Sequence, residues 1–176
     1  MKDILKPIIV LAAICLVVTA LLAYVNQITQ PVIKEAEEKA AAAARTEVLS
    51  EAKDFEKLDV KDMPEGVLEV YKGSDNSGYV FIVETKGYGG KIKFICGITN
   101  DGKMEAVKTL SHSETSGVGT KAVDNSSGYR DNFAGRTKDE CDKVDTITGA
   151  TISSTAFKRA VSTAFDAYDK IKGAGQ

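Results

Sequence analysis

The strongest pattern along the chain is an unbroken apolar run near its N-terminus. No charged residue occurs from Pro7 to Ile33, and the stretch PIIVLAAICLVVTALLAYV is almost wholly apolar. A helix of that length rises about 28 Å, close to the roughly 30 Å hydrocarbon thickness of a bilayer. A cleaved signal peptide would end in small residues, whereas Leu21-Leu22-Ala23 begins with a large one. The pattern predicts a retained anchor in residues 1–33, spanning the lipid bilayer over about residues 7–25.

The charges that flank this run predict its orientation in the cell membrane. Lys2 and Lys6 precede the span, while the far flank NQITQPVI is uncharged and is followed by charges of both signs. Positive residues next to a span favour the cytoplasmic side. We therefore expect a cytoplasmic N-terminus and an extracytoplasmic segment 34–176.

A segment rich in Ala, Glu and Lys follows Pro31 and lacks Gly and Pro. Apolar residues recur at helical spacing in its second half, at Val48, Leu49, Ala52, Phe55 and Leu58. We predict a stalk helix over residues 34–58. A partly disordered spacer is the alternative, because alanine-rich helices are marginal unless they are packed.

From Met63 onward the pattern changes to the short alternation of β-strands. Four runs, GVLEVYKG, SGYVFIVETKG, GKIKFICGITN and GKMEAVKTLSH, are separated by turn residues, and Asn100-Asp101-Gly102 is a hairpin signal. Three or four antiparallel strands are predicted. Residues 91–98 alternate cleanly, which favours a sheet with one buried and one partly solvated face.

The C-terminal third predicts loops and a final helix. Residues 111–133 are rich in Gly and Ser, which indicates a binding loop without regular structure. Thr137 and Glu140 have the spacing of a capping box for a short helix. A terminal amphipathic helix is predicted over residues 152–172, with Gly173 at its end. The fold class is therefore α+β: an anchor helix and a stalk helix, then an antiparallel-sheet domain over 59–176 with a C-terminal helix.

Composition excludes several function classes. The net charge of −2, the absence of Trp and the lack of a basic stripe argue against a nucleic-acid partner. A single His with no C-x-x-C excludes the usual zinc patterns, so no metal site is expected. Cys96 and Cys141 are expected to be free, buried thiols, with a bridge between them as the alternative.

Two hydroxyl- and glycine-rich motifs carry the candidate chemistry. In DTITGATISS, a helix that begins at Thr151 would offer free N–H groups to a phosphate, while simple capping by Thr151, Ser153 and Ser154 explains the same residues equally well. In HSETSGVG, no nucleophile elbow accompanies His112, so a hydrolytic triad is not indicated. The glycines there suit a loop that approaches a flat ligand closely.

Three motifs, taken together and in order, resemble the FMN-binding domain family, and most of all the Rnf-type G subunits within it. The motifs are GYGG (87–90), H-x-E-T-x-G-x-G (112–119) and D-x-x-T-G-A-T (145–151), and the anchor and stalk extend the resemblance over essentially the whole chain. The resemblance implies an FMN bound covalently to Thr151 by a phosphodiester. Asp145, Thr148, Gly149 and Ala150 would belong to the signal read by a separate flavin transferase.

The same resemblance implies which residues contact the bound FMN. The loop and the GYGG turn would line the isoalloxazine, with the backbone N–H groups of residues 115–119 near its polar edge. The implied contacts are Tyr88, Gly89, His112, Glu114, Thr115, Gly117, Val118, Gly119 and Lys121. The chain departs from the commonest family pattern with Ser116 in place of Pro and Val118 in place of Leu.

The resemblance also implies a function in electron transport. It points to a subunit of a membrane complex of six subunits that moves electrons from ferredoxin to NAD and couples this to Na⁺ or H⁺ translocation. No catalytic residue and no independent activity are expected of this chain, because the redox chemistry is the flavin's. Two alternatives stay open: the C subunit of the sodium-pumping NADH:quinone reductase, and a membrane-anchored scaffold without a redox role.

Overall fold

The computed structural model describes residues 2–60 and 62–174, and the chain divides into two compact units, 1–39 and 40–176. The long helices are α1 (Lys2–Val48) and α4 (Thr151–Ala174), and the short ones are α2 (Thr120–Val123) and α3 (Lys138–Cys141). The strands are β1 (Phe55–Leu58), β2 (Val67–Gly73), β3 (Gly78–Lys86), β4 (Lys91–Thr99) and β5 (Met104–Ser111). Two 3₁₀ turns, Ser74–Asn76 and Tyr129–Phe133, complete the elements.

The first unit is the apolar part of α1. Its large side chains, such as Leu16 and Leu22, are exposed, as expected of residues that face lipid. Among the described residues, α1 is the one helix that is long and apolar enough to cross a membrane. The helix continues through Pro31, so the anchor and the stalk form one helix instead of two.

The predicted stalk helix over 34–58 is too long. α1 ends at Val48, and Phe55–Leu58 forms strand β1, which pairs antiparallel with β2. Phe55 packs in the same cluster as Leu49 and Ala52. The apolar residues predicted for the second half of the stalk are thus buried by a turn and a strand instead of by a continuing helix. The backbone groups of β1 form their hydrogen bonds with β2.

The second unit is built on a five-stranded antiparallel sheet with strand order β1-β2-β3-β4-β5. The prediction of three or four strands omitted β1, and the four strands it contained are all present. Asn100–Gly102 makes the β4–β5 turn, in which the Gly102 N–H donates to the Thr99 carbonyl over 3.0 Å. The hairpin prediction is confirmed.

Both faces of the sheet are covered. On the α4 face, defined as the side packed against α4, the strands contribute Phe81, Val83, Ile92, Phe94 and Cys96 to the larger core. On the α1 face, defined as the side packed against residues 41–48 of α1, Val80, Ile82 and Ile95 pack on small helix residues. The expectation of a partly solvated second face is confirmed at Lys91, which is exposed, and is wrong at Ile95, which is fully buried.

The C-terminal third is more regular than predicted. The segment 111–133 contains α2 and a 3₁₀ turn, because Ala122, Val123, Tyr129 and Phe133 are buried in the core and need ordered backbone. The capping box before α3 is present, and the Thr137 N–H donates to Glu140 Oε2 over 2.9 Å. α4 covers the predicted span and continues one residue beyond Gly173.

The cysteines of the second unit are free. Cys96 and Cys141 are both buried and form no disulfide. Burial raises the pKa of the Cys96 thiol above its ordinary range and raises that of Cys141 to about 11. Both are therefore neutral core residues at physiological pH.

Candidate functional site

The carboxylate of Glu114 joins the three motifs that the sequence singled out. Glu114 Oε1 accepts a 2.8 Å hydrogen bond from the Gly89 N–H, and Oε2 accepts one from the Ser153 hydroxyl. Gly89 lies in the turn between β3 and β4, Glu114 in the loop after β5, and Ser153 in the first turn of α4. These three residues, here named the Glu114 cluster, place GYGG, H-x-E-T-x-G-x-G and the start of α4 side by side.

Two glycines make room for the Glu114 side chain. A Cβ at Gly119 would lie 2.5 Å from Glu114 Oε2 and 2.8 Å from Ser153 Oγ, and a Cβ at Gly87 would lie 2.5 Å from Glu114 Oε1. Any larger residue at either position would displace the carboxylate. The glycines of both motifs thus serve close packing around a buried acid.

His112 orients the loop that carries Glu114. Its Nδ1 accepts from the Glu114 N–H over 3.2 Å, and its Nε2 lies 3.0 Å from Asp124 Oδ1. With Nδ1 acting as an acceptor, we assign the ring proton to Nε2, which then donates to Asp124. The side chain of His112 is engaged at both nitrogens, so its contacts hold the loop, and its contact with a flavin stays a prediction.

Internal hydrogen bonds occupy part of the 115–119 backbone. The Gly117 N–H donates to Thr120 Oγ1 over 2.9 Å, and the Val118 N–H donates to the Thr115 carbonyl over 3.2 Å. Within the described chain, the N–H groups of Thr115, Ser116 and Gly119 have no hydrogen-bond acceptor. These three amides, not all five, are the donors that a ligand's polar edge could use.

The turn before α4 presents Thr151 to solvent. The Ala150 N–H donates to the Ile147 carbonyl over 2.9 Å, and Gly149 takes a φ of +81° that side chains disfavour. Thr151 is the first residue of α4 and its side chain is exposed. The N–H groups of Thr151, Ile152 and Ser153 donate to no described atom, so the hydroxyl stands beside free amides at the positive end of the helix.

The two serines after Thr151 differ from expectation. Ser153 and Ser154 were expected to cap or solvate the first turn, yet both are buried. Ser154 Oγ donates to the Ala150 carbonyl over 2.7 Å and accepts from the Ile147 N–H over 3.1 Å, so it fixes the turn from inside. Ser153 points into the Glu114 cluster. Thr151 is therefore the exposed hydroxyl of these three.

Tyr129 supports the attachment turn from the core. Its hydroxyl donates to the Asp145 carbonyl over 3.0 Å, while its ring packs edge-on against Phe133 and Phe157. Burial, with a smaller contribution from Asp145, raises the pKa of Tyr129 to about 12. The side chains of Asp145 and Thr148 themselves are exposed, as residues of a surface signal would be.

Comparison with known proteins adds to this geometry. Residues 87–166 match the FMN-binding domain, and residues 1–48 match the RnfG N-terminal region. The G subunit of the Na⁺-translocating ferredoxin:NAD⁺ oxidoreductase complex of Acetobacterium woodii is 32% identical over 97% of this chain and 94% of its own length. The chain belongs to the family of G subunits of ion-translocating oxidoreductase complexes.

Other G subunits show the same extent of similarity. The G subunit of the ion-translocating oxidoreductase complex of Methanosarcina acetivorans is 33% identical over 94% of each chain. That of the proton-translocating ferredoxin:NAD⁺ oxidoreductase complex of Clostridium ljungdahlii is 30% identical over 86% of this chain and 84% of its own. The resemblance inferred from the three motifs is confirmed, and the match at residues 1–48 favours the G subunits over the quinone-reductase C subunits.

The site of this G subunit fits an FMN. A phosphate on Thr151 would meet the free amides of α4, and a Cβ at Gly149 would have no heavy atom within 4 Å, which leaves the approach open. Among the residues in or next to the motifs, Tyr88, Val118 and Ile152 are 71%, 49% and 55% exposed. Each can contact a flavin bound at its motif, and Lys121 is exposed in α2.

Sequence reasoning missed several residues of this site. Ile152, Asp124 and Tyr129 were not expected to take part, and Ser153 was expected only as a helix cap. The structure places each in or next to a predicted motif. Ile152 and Ser153 follow Thr151 directly. Their positions in the first turn of the predicted helix were the sequence signal that could have identified them. Within residues 2–60 and 62–174, no group of three His, Cys, Asp or Glu side chains could hold a metal ion.

Proposed function

We propose that this G subunit transfers electrons within a membrane-bound, ion-translocating ferredoxin:NAD oxidoreductase through an FMN attached to Thr151 by a phosphodiester. The exposed Thr151 hydroxyl at the free N-terminus of α4, beside the Glu114 cluster, is the observation that carries the proposal. A phosphodiester has one negative charge there, which the helix dipole and the free amides favour.

Attachment requires a group transfer to the Thr151 hydroxyl. The oxygen attacks the phosphorus of the FMN half of FAD, the pyrophosphate bond breaks, AMP leaves and the hydroxyl proton is lost. Thr151 Oγ has no hydrogen-bonded base in the described part of the chain. The base is therefore supplied by the flavin transferase, to which the exposed turn of Asp145, Thr148 and Thr151 is accessible.

The residues of the chain then hold and shield the flavin. FMN supplies the reversible uptake of electrons. The ester to Thr151 keeps it at a permanently high local concentration, which a site outside the cytoplasm needs because a dissociated flavin would be lost. Tyr88, Val118 and Ile152 exclude water from the ring, while the amides of Thr115, Ser116 and Gly119 are available to its polar edge.

The proposal includes an arrangement in the membrane, which the positive residues before the anchor support. We propose that α1 crosses the bilayer with its N-terminus in the cytoplasm and that the sheet domain lies outside. The other subunits of a six-subunit complex would carry the ferredoxin and NAD sites. A Lys143→Cys variant tests this sidedness, because Lys143 is exposed whereas Cys96 and Cys141 are buried. A membrane-impermeant maleimide should label this variant on intact cells. The unsubstituted chain is the control, and labelling only after lysis would reverse the proposed orientation.

Intact mass tests the flavin attachment. The full chain, co-expressed with a flavin transferase, should gain the mass of FMN minus water, and the gain should map to residue 151. Thr151→Ala should abolish the gain, and Thr151→Ser should retain it because the nucleophile is kept. Thr155→Ala, which removes an exposed threonine one helical turn later, is the matched control and should be labelled fully.

Absence of the mass gain would favour the alternative of a membrane-anchored scaffold without a redox role. If the unsubstituted chain stayed unmodified in the presence of an active transferase, the redox role would be refuted and the turn would be only a helix start. A mass gain retained in Thr151→Ala would keep a covalent flavin and move it to another hydroxyl. In-gel flavin fluorescence gives both answers quickly, before peptide mapping.

A further inference from the structure

Glu114 is a buried acid without a cationic partner. It is 8% exposed, and no Lys, Arg or His of the described residues forms an ion pair with it. Burial of an unpaired charge is costly unless strong donors compensate it. Glu114 has two such donors, the Gly89 N–H and the Ser153 hydroxyl.

The N-terminus of α4 supplies a further stabilising field. Ser153 is the third residue of that helix, so the carboxylate lies next to its first turn, where partial positive charge accumulates. The Gly89 N–H can only donate and the Ser153 hydroxyl can donate to Oε2, so each oxygen of Glu114 faces a hydrogen-bond donor.

Resting on the proposed attachment at Thr151, we propose that the ionised Glu114 is a positioning residue that lowers the midpoint potential of the flavin. Ser153 follows Thr151 by less than one helical turn, so the carboxylate is held close to the attachment point. A negative charge fixed at a buried position opposes the arrival of further negative charge nearby. Both oxygens are engaged within the chain, so Glu114 acts through its field and through the placement of Gly89 and Ser153.

Two variants distinguish the effect of the Glu114 charge from the effect of the shape of the cluster. Glu114→Gln keeps the size of the side chain and its acceptor for Gly89 but removes the charge. Ser153→Ala keeps the charge and removes one donor, which leaves the carboxylate less neutralised. The first should raise the midpoint potential, and the second should leave it unchanged or lower it. If the substitutions only loosened the cluster, the midpoint potential would change in the same direction in both variants.

The measurement is spectroelectrochemical titration of the full chain in detergent, after intact mass has shown one FMN per chain in every sample. A unit charge within about 10 Å changes the ratio of reduced to oxidised flavin at a fixed potential by roughly tenfold per electron. Glu114→Gln should increase this ratio by a factor of this order. Glu51→Gln, which removes an exposed charge elsewhere in the same unit, should show none. An unchanged potential in Glu114→Gln would overturn the proposal.

A second readout does not depend on the flavin. In the chain without flavin, the Gly89 N–H should be protected from hydrogen exchange by Glu114, and Glu114→Ala should remove this protection while the amides of β4 stay protected. Persistent protection of Gly89 would refute the cluster itself. Failure of the unsubstituted chain to gain FMN would refute the proposed function and with it any effect on a flavin. The exchange measurement would still test the cluster, so the two failures are distinguishable.

Discussion

The two faces of the sheet are covered by helices of very different composition. On the α4 face, aromatic rings fill the space, with the centroids of Phe94 and Phe133 lying 4.9 and 5.0 Å from that of Phe157. On the α1 face, the helix contributes Ala41, Ala44 and Val48, and the sheet meets its backbone directly. A Cβ at Gly97 would lie 1.8 Å from the Val48 carbonyl oxygen.

This difference in packing matches the elements that each face of the sheet holds in place. The α4 face carries every motif of the flavin site, and bulky interlocking rings hold the start of α4 against Glu114 and Tyr129. The α1 face holds the end of the anchor helix close to the sheet, which small residues allow. One face is therefore sensitive to loss of volume, and the other to gain of volume.

The largest effect should come from removing a ring on the α4 face. Phe157→Ala leaves a cavity among Phe94, Tyr129 and Phe133, and we expect the free energy of unfolding to fall by about 3–5 kcal/mol. Urea unfolding of the full chain in detergent measures it. Phe157→Leu, which keeps most of the volume, should cost much less. Equal losses in both variants would show that the ring packing is not what stabilises this face.

Added volume should be the second largest effect, on the α1 face. Gly97→Ala forces the end of α1 away from β4, at an expected cost of about 1–3 kcal/mol in the same unfolding measurement. Gly173→Ala is the matched control, since no atom lies within 4 Å of the added methyl group. The control should be neutral or slightly stabilising, because alanine is the better helix former. A neutral Gly97→Ala would contradict the close approach.

The same contrast explains which parts of the fold the sequence could predict. α4 and β2–β5 were predictable because large apolar residues recur at a clear period. β1 was missed because four residues are too few to show alternation, and Phe55 and Leu58 also fit a helical stripe. The covered α1 face was missed because alanines give no periodic signal, and nothing local at Gly97 reveals that a helix lies against it.

The site was predictable only as separate motifs. The resemblance named Thr151 and the loop 112–119, and the exposed position of Thr151 agrees with an attachment point. The contact between Glu114 and Ser153 joins residues 39 positions apart in the chain, and no local pattern encodes such a pair. The structure was needed to show that His112 and Glu114 make the hydrogen bonds that hold the loop.

Alkaline pH should weaken the α4 face through Tyr129. Folded Tyr129 keeps its proton up to about pH 12, whereas the unfolded residue loses it near its ordinary pKa of about 10. Between these values the unfolded state binds fewer protons, so stability falls as pH rises. Tyr129→Phe should lack this part of the decline, and at neutral pH it should be about 1 kcal/mol less stable, because the hydrogen bond to Asp145 is lost. Cys141, which titrates in the same range, is present in both chains, so identical pH profiles would refute the assignment to Tyr129.

The smallest effect should come from the polar edge of the α1 face. The guanidinium of Arg45 lies 4.2 Å from the centre of the Tyr71 ring, a cation–π contact between α1 and β2. Arg45→Gln should lower the free energy of unfolding by about 0.5–1 kcal/mol, since the contact is only partly buried. Lys39→Gln, which breaks an exposed pair with Glu35, should change it by less. If Arg45→Gln cost as much as Gly97→Ala, the α1 face would depend on this contact as much as on close packing, and the contrast between the two faces would fail.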